Sequence, residues 1–305
     1  MKLAVYVKTC SRPQKQVHLL NFAEGARRNG VDVIEDYSND YQPSDYGVIF
    51  GYKDEAKNTT KSSENARIVL YKSYPNKNVF FIDSDVLGHY NKPRNVSSLR
   101  YSLKSIYPNE ADYFLDDLDI SRWDKFNINM KDWRTKRGDK IILLLNRGKR
   151  GFSSKGLNSF RWAYETIRSL RDVSDRTIVL RPHNINNAKM FDPEDEQWKE
   201  KIFKEFKNIE ITFWEDQTLE QNLNQAWATV SYTSTASAIS LVEGIPTFVT
   251  GDHSYIKEYS AGNIVDIENP KFVDRESFKN KYSNSHWTNR EIETGVFWRK
   301  ISQYL

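Results

Sequence analysis

The sequence predicts an α/β protein built as two units. Three observations point there. Short apolar, β-rich runs alternate with helix-period or polar stretches in both halves of the chain. Residues 110–138 interrupt that alternation: 110–124 carry six carboxylates against one arginine, and 124–138 are polar with little periodicity. The 305 residues include 16 Phe, 17 Tyr and 8 Trp, enough for a core in each half.

The elements follow in order. Residues 3–7 (Leu-Ala-Val-Tyr-Val) form an apolar first strand. A helix-period stretch with Val17, Leu20, Phe22 and Ala23 follows and stops at Asn29-Gly30. Strands are expected at 31–34 and at 46–51, the latter closed by glycine. Residues 67–71 and 78–82 are further short apolar runs. The second alternation opens at 140–145, apolar on both faces as a central parallel strand requires. Helices are expected at 160–170, 198–206, 219–227 and 236–242, the last stopped by Gly244 ahead of Pro246. Strands are expected at 177–180, 209–213, 228–232 and 247–250, and the tail 289–305 reads as helical. This gives an N-terminal Rossmann-like domain over 1–125, a linker at 126–138, a second Rossmann-like domain over 139–285 and a C-terminal helix over 286–305. Two such halves are expected to face a central cleft.

Composition narrows the function classes. Cys10 is the single cysteine, which excludes an intrachain disulfide framework and a four-cysteine zinc site. A reducing cytoplasm is the expected location. No run approaches the ~20 apolar residues of a membrane helix, and the first residues are too short a run for a secretory signal. The formal charge of +4 hides a bias: residues 131–181 hold 14 basic and 5 acidic side chains. A basic segment on an otherwise acidic chain suits a polyanion. Trp133, Phe152, Phe160, Trp162 and Tyr164 interleave with those charges, which suits bases as well as an ordinary amphipathic helix.

In doubly wound sheets, ligands lie beyond the carboxyl ends of the strands. After residue 145 come Asn146-Arg147-Gly148-Lys149-Arg150-Gly151: two glycines for close backbone approach and three cations, fit for a diphosphate or for a basic surface turn. After 180 come Arg181-Pro182-His183, with an imidazole able to donate to phosphate or to act as acid or base. After 232 come Thr233-Ser234-Thr235 ahead of a helix, hydroxyls that cap it or bind phosphate. Glu243 ends that helix and would accept from ribose hydroxyls or stand exposed. After 82 come Asp83-Ser84-Asp85: a general base for an acceptor hydroxyl, a divalent-metal pair, or a solvated turn.

These residues together resemble glycosyltransferases of the GT-B architecture. Residues 177–183, ending in Arg181-Pro182-His183, resemble the Arg/Lys-Pro-His-Pro motif of capsule-polysaccharide and sialyltransferase-like GT-B enzymes. Residues 231–237 with Glu243-Gly244-Ile245-Pro246-Thr247 resemble their Ser-Ser/Thr nucleotide motif and its continuation. The run His286-Trp287-Thr288-Asn289-Arg290-Glu291-Ile292-Glu293-Thr294-Gly295 is similar to a pattern in tailed-phage proteins. Asn184 replaces the usual second proline, and the helix reads Ser-Leu-Val-Glu-Gly where Glu-Ala-Leu is usual.

The resemblance implies a nucleotide-sugar donor, UDP-sugar favoured and CMP-sugar the alternative, with no tightly bound cofactor and no metal. Asn146, Arg147, Lys149, Arg181, Thr233, Ser234, Thr235 and Glu243 would hold that donor, with His183 and Asp83 catalytic. Phage relatives imply an acceptor in double-stranded DNA, the hydroxymethyl group of a modified pyrimidine, contacted by Arg94, Arg100, Lys149 and Arg150, inside a host cytoplasm. A polysaccharide or other hydroxyl acceptor is the rival, and a non-catalytic nucleic-acid-binding protein the third reading.

Overall fold

The structure is a computed structural model. It describes residues 1–51, 62–88, 90, 98–115, 120–136, 138–146, 158–183 and 193–305. The chain divides into two compact units: residues 1–128 with 276–305, and residues 129–275. Each is a mixed α/β unit around one sheet.

The first unit contains β1 (Lys2–Tyr6), α1 (Pro13–Arg27), β2 (Asp32–Asp36), β3 (Tyr46–Phe50), α2 (Ser62–Ser73), β4 (Val79–Ser84) and β5 (Ser98–Leu103). It is completed by α7 (Glu276–Ser285), β11 (His286–Thr288), α8 (Asn289–Glu293) and α9 (Val296–Ile301). Its strand order is β11-β5-β4-β3-β1-β2. Strands β2, β1, β3 and β4 run parallel, while β5 and β11 are antiparallel to their neighbours. Leu3, Val5 and Val48 on one sheet face pack with Phe22, Phe80, Trp287, Phe297 and Trp298 into an aromatic core. Burying each such large side chain contributes about 2–3 kcal/mol.

The tail departs from the expectation of one helix. His286–Thr288 pair with β5, and the two helices that follow are separated by Gly295, whose φ of +75° a side chain would resist. Thr288 caps α8 in a capping box with Glu291. Glu291 also receives the Arg122 guanidinium, which lies 3.6 Å from the Trp287 ring centroid. The Trp-Thr-x-x-Glu-Ile-x-x-Gly run is therefore built into the first unit's core and caps. Residues 276–285 also belong there and not to the second domain, because Phe278 and Tyr282 pack on Trp123. Gly25 makes the fit possible: a Cβ there would stand 1.9 Å from the Ile292 carbonyl oxygen of α8.

The run 67–71 lies inside α2. Leu70 is buried while Val69 is 61% exposed, the one-sided burial of a helix.

The second unit contains β6 (Lys140–Leu144), α3 (Ser159–Arg171), β7 (Ile178–Arg181), α4 (Pro193–Glu205), β8 (Ile209–Ile211), α5 (Leu219–Asn224), β9 (Ala226–Ser231), α6 (Ala236–Val242) and β10 (Thr247–Val249). All strands are parallel, in the order β10-β9-β6-β7-β8. Residues 129–138, expected as linker, pack onto this unit: Lys131 N donates to Val242 O, Arg134 N to Gly244 O and Gly138 N to Ala226 O. Phe160, Trp162 and Tyr164 are buried core residues of α3, so their interleaving with cations is amphipathic packing and not a base-stacking surface. Among the described residues, no helix is long and apolar enough to cross a membrane.

Candidate functional site

The strand order of the second unit fixes where a ligand belongs. From β6 the chain winds outward through β7 and β8, then returns to add β9 and β10 on the other side. The crevice between β6 and β9 is the topological switch point. Leu144 of β6 pairs with Ser231 of β9 on one side and with Arg181 of β7 on the other. Two residues past those partners, beyond the ends of the strands, come Thr233 after β9, Asn146 after β6 and His183 after β7.

Asn146 ties the crevice together. Its Nδ2 donates to Thr233 Oγ1 at 2.7 Å, and its Oδ1 accepts from Thr233 N at 3.3 Å. Ser159 of α3 donates to the Asn146 carbonyl at 2.6 Å. The loop after β9 is thus tied to the end of β6. Thr233 and Ser234 are half-buried and Thr235 is exposed. Among the described residues, the Ser234 and Thr235 hydroxyls make no side-chain hydrogen bond. Thr235 occupies the N-cap of α6 without a side-chain cap bond. The Trp162 indole donates to Thr250 Oγ1 at 3.0 Å and completes the β10 side of the rim.

Other residues expected at the donor site have different employment. Arg181 is buried, and its Nη1 donates to the Phe213 carbonyl at 2.9 Å, clamping the loop after β8. Burial pushes its guanidinium down, opposed by Asp216, Glu220 and Glu215. Glu243 is not at the rim. It caps the far end of α6, 4% exposed, and its Oε2 receives Lys131 Nζ and Arg134 Nη2, each at 2.7 Å. Burial pushes its carboxyl up. Gly244, at φ +71°, lets the Asp132 carbonyl approach to 2.0 Å of where a Cβ would sit. The 241–244 corner therefore anchors the entering chain. Arg147, Lys149, Arg150 and Arg94 lie outside the described residues.

In the first unit, Asp83 does reach the carboxyl end of β4, but its Oδ2 accepts from Arg100 Nη2 at 2.6 Å. The two residues are direct cross-strand partners in β4 and β5. Arg100 is buried and also donates to the Ile106 carbonyl, so it is an internal brace and not a surface contact for DNA. Asp85 accepts from Leu87 N, Ser98 Oγ and Tyr282 Oη. The Asp-Ser-Asp element is spent on internal bonds. Among the described residues, no group of three metal-ligating side chains comes together.

One exposed aromatic after a strand escaped the sequence reading. Trp214 follows β8 and is 53% exposed. A large aromatic shortly past a strand, ahead of the polar run Glu215-Asp216-Gln217, was the available signal.

Searches against family models and against curated proteins find no match. Solved structures do match in fold. A β-Kdo 2,4 transferase, KpsC of Thermosulfurimonas dismutans, is 11% identical, with 93% of this chain and 90% of that one covered at a TM-score of 0.53. The β-Kdo 2,7 transferase of KpsC from the same organism is 12% identical, with 98% and 100% covered at a TM-score of 0.51. The chain shares the α/β fold of these GT-B glycosyltransferases, in keeping with the resemblance of its C-terminal motifs.

Proposed function

We propose that the protein is a glycosyltransferase that takes a sugar from a nucleotide-sugar donor held on the second unit. The observation that carries this reading is the row Thr233, Asn146, His183 at the switch point, with the Ser234 and Thr235 hydroxyls uncommitted beside it. Hydroxyl and imidazole donors there would meet the donor's phosphate and stabilise the charge that grows as it leaves, each good donor contributing about 3 kcal/mol. The exposed Trp214 face offers a stacking surface for the base. UDP-sugars remain favoured from the motif and CMP-sugars the alternative. The neighbours of like fold are named as Kdo transferases, which adds an acidic sugar to the donors worth testing.

For the acceptor we keep the hydroxymethyl group of a modified pyrimidine in DNA. Its support is the basic bias of residues 131–181. The test incubates the protein with hydroxymethylated duplex DNA, an oligosaccharide panel and UDP- and CMP-activated sugars, followed by mass spectrometry. A mass increment on the modified nucleoside is expected. An increment on the oligosaccharide instead moves the acceptor to a glycan, and no turnover with salt-dependent DNA binding overturns the enzyme reading.

A further inference from the structure

In the second unit, α3 is the helix that follows β6. Asn158 is its N-cap, in extended backbone, and its Oδ1 accepts from Arg161 N at 2.7 Å. The next residue, Ser159, donates its hydroxyl to the Asn146 carbonyl. The side chain of the same Asn146 holds Thr233. One residue past the end of β6 thus binds the start of α3 with its backbone and the loop after β9 with its amide.

Two features of this helix start are uncommitted. The first is the other half of the Asn158 amide. Capping uses only the oxygen. Nδ2 offers two N–H groups, yet it has no hydrogen-bond partner among the described residues. Asn158 is 0% exposed, so bulk water does not reach it. Native folds seldom keep a buried donor unpaired without a use for it. The amide is planar, so Nδ2 sits beside Oδ1 over the first turn of α3. The second feature is the field of the helix. α3 spans 13 residues, with Arg168 and Arg171 in its last turn and no acidic side chain in its first. Its negative end is matched by cations, and its own first turn supplies no anion to the positive end.

We propose that the start of α3 is a second anion site of the donor pocket, with Asn158 Nδ2 as its hydrogen-bond donor. It takes a second negative group of the donor while the first phosphate lies at the Ser234 and Thr235 hydroxyls. The assignment rests on the glycosyl-transfer reading and narrows its substrate class to donors with two neighbouring anionic groups. β6 and β9 are adjacent strands, about 4.8 Å apart, and Asn146 joins their ends. A step of that size suits linked groups of one molecule. Two sources supply them: the two phosphates of a nucleoside diphosphate, or the phosphate and sugar carboxylate of a nucleoside monophosphate linked to an acidic sugar. Either presents negative oxygens that accept from N–H.

Titration calorimetry on the full chain tests this with two pairs, UDP against UMP and CMP-Kdo against CMP. In at least one pair the ligand with the second anion is expected to bind about ten-fold tighter or more, and that pair identifies the source. Asn158→Asp is expected to cut the ratio to about two-fold or less. Aspartate keeps the cap oxygen and suits the helix dipole, while it removes the N–H and repels the anion. Asn158→Ser also caps; it repeats the test without added charge and decides if Asn158→Asp does not fold. A ratio near one in both wild-type pairs, or a ratio that survives in the variants, overturns the second anion site and leaves nucleotide binding standing. No binding of any of the four ligands removes the glycosyl-transfer reading and this site with it.

Discussion

The carboxyl edges of the two sheets occupy equivalent places in their units, yet their polar residues are used in opposite ways. In the first unit the conspicuous charges are consumed internally: Asp83 by Arg100, Asp85 by Ser98 and Tyr282, Glu291 by Arg122. In the second, Arg181 is likewise committed to the Phe213 carbonyl and Asn146 and Thr233 satisfy each other, but among the described residues the next two hydroxyls make no side-chain hydrogen bond. The difference follows from desolvation. A charge at a partly covered strand end must be paired or it destabilises the fold. A hydroxyl at a rim carries a much smaller penalty and can wait for a ligand. Strand-end carboxylates are therefore poorer evidence of chemistry than strand-end hydroxyls.

This contrast can be broken at several points. The largest effect is expected from Asp83→Asn, which leaves Arg100 buried without its counter-charge. Urea unfolding should show a loss of about 3 kcal/mol, and a stability-neutral Asp83→Asn with abolished transfer would restore Asp83 as the base. Glu243→Gln comes next. It removes the charge that anchors Lys131 and Arg134, for about 2 kcal/mol, with donor KM unchanged. A ten-fold rise in KM at full stability would return Glu243 to the ribose. Ser234→Ala should leave unfolding within about 0.5 kcal/mol of wild type while raising donor KM about ten-fold, one lost hydrogen bond. If KM does not move, the rim hydroxyls are not the phosphate site.

The smallest effect is in pH. His18 has its folded pKa lowered by burial from 6.5. Below that value the unfolded chain binds the proton more readily, so stability falls as pH drops from 6.5 towards the folded pKa, then levels. Replacing His18 with Phe should flatten that part of the stability–pH curve. An unchanged slope would show that other groups set it.

The alternation of elements was legible because hydrophobic period and glycine or proline stops are local signals. Residues 140–145 read as a central strand and are one, with Ile141 through Leu144 fully covered. The run 67–71 proves to be one face of a helix, which period alone leaves open because a short apolar run looks alike in a strand and on a helix face. The employment of Glu243, Arg100 and Glu291 was illegible for a different reason. Arg134 is 109 residues from Glu243, and Arg122 is 169 from Glu291. Such pairings exist only after folding. The contact of His18 with Asn289, 271 positions away, left no trace for the same reason.

The division of the chain carries a consequence for biosynthesis. The second unit is one unbroken stretch, 129–275, whereas the first draws on 1–128 and again on 276–305. During translation the second unit can close as soon as it has cleared the ribosome. The first must wait, with Trp287, Phe297 and Trp298 still missing from its aromatic core. A nascent chain stalled before residue 276 thus holds a finished second unit beside an unfinished first, and the early-made half is the one that chaperones must shield.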